Sequence, residues 1–384
     1  MKKKMFLLAL AGALALGTVA CGNSGSGSSA SSKASSSNEV ASKSSKSEEM
    51  KKMSDFTASG KVLNIGVQSS VISVPVVYAE SKGYYKELGL DVNLIVFSNG
   101  APENEGLAAE QLDVASNGLA SVYSMASGLC DWIGESDSGS TTTKIYAHAD
   151  SPIFDHMGEI EGKDHMYGSF DTLKGLTVLD PTSTVEQWTA FAYFNQFGME
   201  NGVDWNYTNM DKSAAAQAVI AGQGDLFVAS DLNYCTLMED AGFKVVAECQ
   251  DATDMVFNNG YLARKGIIEE RYDDVVLFLK ATYKAAEELQ NDPDTRAEFT
   301  YKFYADNGKE VSEEDVREEI ELRPYVSIEE MQADNYLLGE SMISVGKFFG
   351  SIGTIDEVQV EYVSAAVNVD PIHDALGITV KAAK

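Results

Sequence analysis

The chain has 384 residues, with 29 Lys and Arg against 58 Asp and Glu and a formal net charge of −29. That balance excludes nucleic acid as a partner, because no cationic surplus exists to neutralise phosphates, and it counts against an anionic membrane surface. Hydrophobic residues make up 44%, enough for one large core or two lobes, and four cysteines are too few for a disulfide scaffold.

Lys2, Lys3 and Lys4 precede an apolar run over 5–20 that ends in small residues. The run is too short to span a bilayer comfortably and has the layout of a secretory signal. Thr18-Val19-Ala20-Cys21 resembles a bacterial lipobox. Thr18 departs from the leucine preferred there, while Ala20 and the following Gly22-Asn23 fit. The expectation is a signal peptide over 1–20 and lipidation at Cys21. Residues 22–52 are dominated by Ser, with Gly, Ala, Lys and Glu. Such a stretch builds no core and reads as a flexible tether spanning roughly 30 Å. No later segment has the apolar length of a transmembrane helix. The protein is therefore expected on the extracytoplasmic face of the cell membrane, touching it through a lipid anchor only.

Order is expected from Lys61. Residues 62–67 alternate like a strand, and Gln68-Ser69-Ser70 form a polar turn. The spacing of Val76, Val77, Ala79, Tyr84, Tyr85 and Leu88 predicts a helix over 75–88 that Gly89 ends. A strand over 90–97 completes a βαβ unit, the signature of a parallel sheet. A helix over 102–110, a strand over 113–115 and a helix through Val122 and Met125 follow. A similar order restarts with a strand over 175–179, a turn rich in capping residues over 180–184 and a helix over 185–197. A helix over 213–221 and a strand over 225–229 continue it. Ala109-Glu110-Gln111-Leu112-Asp113 echoes Ala221-Gly222-Gln223-Gly224-Asp225, each between a helix and a strand. The echo suggests two α/β lobes built alike. Beyond Asn258-Asn259-Gly260 an amphipathic helix is predicted over 273–290. The charge-rich stretch 310–321 reads as a solvated helix face.

Residues 61–128 resemble the N-terminal part of ABC-transporter substrate-binding lipoproteins of the nitrate/sulfonate/taurine and thiamine-pyrimidine-precursor type. The resemblance rests on KGYYKELGLDV over 82–92, LAAEQLDVASNGLAS over 107–121 and LKGLTVLDPTSTVEQW over 173–188. It continues through AVIAGQGDLFVASD over 218–231 and YLARKGIIEERYDDVVLFLKA over 261–281. It implies an α/β fold, the two-lobed periplasmic-binding-protein fold of type II, with two crossover strands and a ligand cleft between the lobes. The expected division is lipid anchor and linker over 21–58, lobe I over 59–147, lobe II over 148–257, and a return to lobe I with C-terminal helices over 258–384. Residues 150–168 look longer and more polar than the family's usual connection, which leaves the cleft rim open there.

In open α/β sheets ligands bind beyond the carboxyl ends of strands, where helix N-termini offer free backbone N–H groups. That rule selects Gln68, Ser69, Ser70, Ser98, Asn99, Asn117 and Ser121 in the first lobe. In the second it selects Thr182, Ser183, Thr184, Asp231 and Asn233, and the crossover adds Asn258 and Asn259. Thr184 and Asp231 serve equally as helix caps, although Asp231 would also suit a ligand amine. Asp113 and Asp225 read as structural turn formers. Trp188, Tyr78, Tyr123, Phe97 and Tyr234 lie near the expected rim as candidate aromatic walls. No Arg precedes Arg264. An anion therefore lacks its usual bidentate clamp, which tilts the reading toward a neutral or amine-bearing solute and leaves a sulfonate-like one open.

Catalytic signals are poor. No nucleophile elbow, zinc-protease motif or phosphate loop is present. His148, His156 and His165 lie among acids, but their spacing matches no compact metal site. Cys130, Cys235 and Cys249 allow at most one disulfide, with a Cys235–Cys249 pair left open. The expectation is a non-enzyme without cofactor or metal, monomeric, that captures a small solute for an ABC permease and its ATPase. A lipid-anchored surface sensor, or an enzyme on the same fold, are the alternatives.

Overall fold

The computed structural model describes residues 55–384. The expected signal peptide, the lipidation at Cys21 and the linker through residue 54 lie outside the described residues. Ten strands form two five-stranded sheets. The first contains β1 (Leu63–Gln68), β2 (Val92–Phe97), β3 (Val114–Asn117), β4 (Cys130–Ser138) and β10 (Asn258–Arg264), in the order β2-β1-β3-β10-β4. The second contains β5 (Lys144–His148), β6 (Thr177–Asp180), β7 (Asn206–Asn209), β8 (Leu226–Ala229) and β9 (Phe243–Glu248), in the order β7-β6-β8-β5-β9.

The two orders are the same pattern. Each begins with three parallel strands, β1 between β2 and β3, and β6 between β7 and β8. Each then takes in an antiparallel strand, β10 in the first sheet and β5 in the second. That strand enters from the other half of the chain. The passages between lobes run through 139–143 and 249–257. The first lies ahead of the expected boundary at 147/148, because β5 pairs with β8 and β9 and so belongs to lobe II.

The echo seen in the sequence marks equivalent positions. Asp113 accepts a hydrogen bond from the Asn64 backbone N–H at 2.9 Å, and Asp225 accepts one from the Thr177 N–H at 2.8 Å. Each aspartate pins the start of the neighbouring central strand. The structural role expected for both is the one these bonds describe.

Strand alternation divides the lobe II core. Ile145, Ala147, Leu226 and Val228 face one side of the sheet, and Tyr146, Phe227 and Ala229 face the other. Lobe I has one larger core, into which the helix Tyr272–Asn291 inserts Val275, Val276, Phe278 and Leu279. This helix packs on Val74–Ser81 and Asp370–Leu376, so the C-terminal helices build outward from lobe I. The helix expected over 75–88 is two segments, Val74–Ser81 and Tyr84–Glu87. Gly83 lies between them at φ +75, a left-handed turn that glycine adopts without strain.

Cys130, Cys235 and Cys249 are free and buried, so the Cys235–Cys249 pair is not formed. Burial pushes the Cys130 and Cys249 thiols up to about 12 and Cys235 up to about 11. No helix among the described residues is long and apolar enough to cross a membrane.

Candidate functional site

A cavity of about 770 Å³ lies where the carboxyl ends of β1, β2 and β3 face those of β6, β7 and β8. Sites for small organic molecules occupy roughly 300–1,000 Å³. Lobe I supplies Gln68, Ser69, Ser70, Ser98, Asn99 and Asn117. Lobe II supplies Ser183, Thr184, Glu186, Asp211, Lys212 and Asp231. Gly139 lines the cleft from the first crossover and Asn259 from β10, and Lys309 and Arg323 reach it from the C-terminal region.

The lobe I wall is built from amides, and Gln68 and Asn117 have their NH₂ ends already used. Gln68 Nε2 donates to Glu103 Oε2 at 2.8 Å and to the Ser116 carbonyl at 3.2 Å. Glu103 is fully buried, and burial pushes its carboxyl well above the usual range. Asn117 Nδ2 donates to the Gly100 carbonyl at 3.1 Å and to Asn104 Oδ1 at 3.3 Å. Its Oδ1 is buried without a partner among the described residues. That oxygen lies 2.2 Å from where a side chain at Gly100 would begin, so glycine is what lets this turn close over the amide. Asn99 caps the helix Gly100–Ala108 by accepting from the Ala101 N–H at 3.0 Å.

The lobe II wall is built from carboxylates and one lysine. The Lys212 ammonium lies 3.1 Å from Asp180, 2.7 Å from Glu186 and 2.6 Å from the Val228 carbonyl, over the Phe227 ring. Burial pushes Asp180 up to about 7, against the opposing pull of Lys212. Glu186 is also desolvated, but Lys212 and Ser230 outweigh burial and hold it below the usual range. Asp211 caps the helix Lys212–Ile220 through the Ser213 N–H at 3.1 Å. Ser183 holds φ +64, a strained value for a residue with a side chain, and its N–H donates to Gln187 Oε1 at 2.8 Å.

Asp231 and Lys309 join the lobes. Their side chains lie 3.3 Å apart, and the ammonium sits 4.1 Å from the centre of the Tyr304 ring. Burial would raise the Asp231 carboxyl, but Lys309, Arg323 and Lys212 outweigh it and hold it low. Arg323 bonds Asp137 at 2.7 Å and Glu319 at 3.0 Å, with all three side chains buried. The helix Glu313–Leu322 carries the solvated face expected of 310–321, and its other face is buried through Val316, Glu319 and Ile320.

The expected ligand residues Trp188, Asn258, Thr182 and Ser121 lie elsewhere. Trp188 is 2% exposed and packs edge-on against Phe257, turned into the core one helical turn beyond Thr184. Asn258 donates to Glu135 at 2.9 Å and lines a separate cavity of about 170 Å³. Asn259, its neighbour on β10, faces the cleft because successive side chains on a strand alternate. Thr182 falls outside the wall, its N–H held by Asn209 at 3.0 Å. Thr184 caps its helix at the cleft edge, and Ser121 is buried at the start of the lobe I helix Ser121–Ala126. Of the candidate aromatics only Tyr234 reaches the wall. Tyr78 packs on Phe299, Tyr123 on Phe349, and Phe97 against the lobe I core.

Residues 150–168 do not form the rim. They fold onto the lobe II core through Ile153, Met166 and Tyr167. His156 pairs with Glu159 at 2.5 Å, and both are half exposed. Among the described residues no group of three or more His, Cys, Asp or Glu is placed to hold a metal ion. Lys212, Lys309 and Arg323 were absent from the sequence-based candidates. Lys212 had a signal, its place at a helix start after a strand, whereas Lys309 and Arg323 follow a helix–helix connection that no strand-end rule covers.

The chain is 27% identical over 330 residues to a putative ABC transporter periplasmic binding protein of Brachyspira hyodysenteriae, covering 85% of this chain and 92% of that one. Among solved structures it is similar to the periplasmic nitrate-binding protein NrtA of Synechocystis PCC 6803, with a TM-score of 0.65 and 13% identity, covering 84% of this chain and 89% of that one. It is also similar to the periplasmic aliphatic sulphonate-binding protein SsuA of Escherichia coli, with a TM-score of 0.60 and 16% identity, covering 78% and 91%. The fold is thus the two-lobed α/β fold of periplasmic binding proteins, as the strand orders require. The family model described as NMT1/THI5 like matches residues 72–296, more than half of the chain. This chain belongs to the NMT1/THI5-like family.

Proposed function

We propose that this protein captures a small organic solute between its lobes and delivers it to the permease of an ABC importer. The observation that carries the reading is the convergence of six strand ends, three from each lobe, on one cleft that neither lobe completes alone. A solute touching both walls favours the closed arrangement, because only there does it gain both sets of contacts. The description of the Brachyspira relative as an ABC transporter binding protein supports the same role. In this reading residues 1–20 direct export, Cys21 carries the lipid anchor, and the monomeric body works at the outer face of the membrane. Catalysis has no part in it. The solute contacts fall to Gln68, Ser69, Ser70, Asn99, Asn117, Ser183, Asp231, Asn259 and Tyr234 from the sequence, joined by Asp211.

The test is a thermal-shift screen of the full chain, followed by ATPase assays with the permease complex in vesicles. A solute at about 100 times its Kd adds about 2.7 kcal/mol of stability. A stabilising solute that also makes the binding protein stimulate ATP hydrolysis is the expected result. Stabilisation without stimulation would sink delivery and leave capture, and a folded protein that no solute stabilises would sink both.

A further inference from the structure

We infer that the cleft is built for a small organic cation carrying several N–H donors, an amidinium, guanidinium or amine, rather than for an anion. The inference rests on the capture reading and names its solute class. The first observation is the orientation of the lobe I amides. Both hydrogens of the Gln68 NH₂ group are spent on Glu103 and the Ser116 carbonyl. Both of Asn117 are spent on the Gly100 carbonyl and Asn104. A backbone carbonyl accepts and never donates, so neither amide is reversed. Asn104 is fixed in turn, because its own NH₂ donates to the Ala120 carbonyl at 2.7 Å. The Asn259 NH₂ is directed to the Asp137 carboxylate at 3.3 Å. Gln68 is left with only its carbonyl oxygen to offer, and the Asn117 oxygen is buried with no partner among the described residues. Asn99, whose oxygen caps its helix, keeps an NH₂ hydrogen for a hydroxyl or carbonyl of the solute.

The second observation comes from lobe II and is independent. A helix N-terminus attracts anions through its free N–H groups and dipole. Here the helices Val185–Gln196, Lys212–Ile220 and Leu232–Asp240 begin at the cleft with Glu186, Asp211 and Asp231. The Asp211 carboxylate accepts from the N–H groups where an incoming anion would sit, and Glu186 and Asp231 place negative charge at the other two helix starts. The cations of the wall do not reverse this. Lys212 is matched by Asp180 and Glu186, Arg323 by Asp137 and Glu319, and Lys309 by Asp231. Asp211 and Glu310 line the cleft with no ion-pair partner among the described residues. Lys309 lines the cleft with its ammonium buried beside Asp231, which cancels its charge.

The experiment is calorimetric titration of the full chain with agmatine and benzamidine, with benzamide as the uncharged match of benzamidine, and with methanesulfonate and nitrate. The expected result is binding of at least one cation, benzamide at least tenfold weaker than benzamidine, and no anion binding. Asp211→Asn keeps the cap, so folding is preserved. It should weaken the bound cation by about threefold to tenfold through the lost charge. Binding of an anion in place of the cations, or of benzamide as well as benzamidine, would overturn the inference and leave capture standing. Cation affinity unchanged in Asp211→Asn would overturn it too. No binding by any probe would overturn the solute class, and the broader screen would then decide capture separately.

Discussion

After β1, lobe I turns the Gln68 amide toward the cleft, while after β6 lobe II turns the Glu186 carboxylate. After β2 the capping residue is Asn99, and after β7 it is Asp211. After β3 comes Asn117, and after β8 comes Asp231. The two halves share strand order, parallel core and the aspartate that pins the central strand. They differ in the groups at the strand ends, amides on one side and carboxylates on the other. A duplicated scaffold therefore fixes where a solute sits, and the loops decide separately what each wall asks of it. Lobe I holds its amides with buried bonds, whereas lobe II holds Glu186 with Lys212 and leaves Asp211 without an ion-pair partner among the described residues.

The largest expected effect comes from the C-terminal helices that close the comparison from outside. Arg323→Met should leave Asp137 and Glu319 buried without their cation, a loss of about 3–5 kcal/mol. Chemical denaturation measures it. A loss below about 1 kcal/mol would mean that water reaches the site, as at a surface pair.

Next is the acid beneath lobe II, tested by pH. Burial raises Asp180 from its ordinary value of 3.8 to about 7 in the folded protein. The folded state therefore holds this proton more tightly than the unfolded chain does. The resulting stability is fully present below pH 3.8 and is lost as pH rises through about 7. Asp180→Asn cannot titrate, so the difference in stability between it and the parent should change between about pH 4 and 7 and level off above. A difference independent of pH across that window would show that Asp180 stays ionised throughout.

Much of this comparison was legible in the sequence, for physical reasons. The βαβ order of each half comes from local periodicity and glycine punctuation, and the strand-end rule picked Gln68, Asn117, Ser183 and Asp231 from polar residues following apolar runs. Strands β4, β5, β9 and β10 were not predicted, because they are defined by partners far away in the chain. Asn258 and Asn259 could not be told apart without register, since a shift of one residue exchanges the faces of a strand. Trp188 looked like a pocket wall because its place on the helix Val185–Gln196 depends on what packs beneath it, and Phe257 comes from the second crossover. Lys309 and Arg323 were beyond reach, because nothing near them in sequence signals that they meet Asp231 and Asp137.

The smallest effect tests the echo itself. Asp225→Ala removes one carboxylate bond to a strand N–H, a loss of about 1–2 kcal/mol. Asp113→Ala removes the same bond and also one counter-ion of Arg264, 3.3 Å away, and of Arg271, 3.6 Å away, which keep Glu110 and Asp274 respectively. The Arg271 side chain is 9% exposed, so losing its neighbour is poorly compensated by water. Asp113→Ala should therefore cost more, by about 1 kcal/mol, measured by denaturation of the two variants side by side. Equal losses would mean that the shared strand bond carries the whole effect and that the arginines are held by their other partners. In that case the lobes would be energetically as well as topologically equivalent at this point. The predicted inequality places the divergence of the halves in the charges added around a common bond.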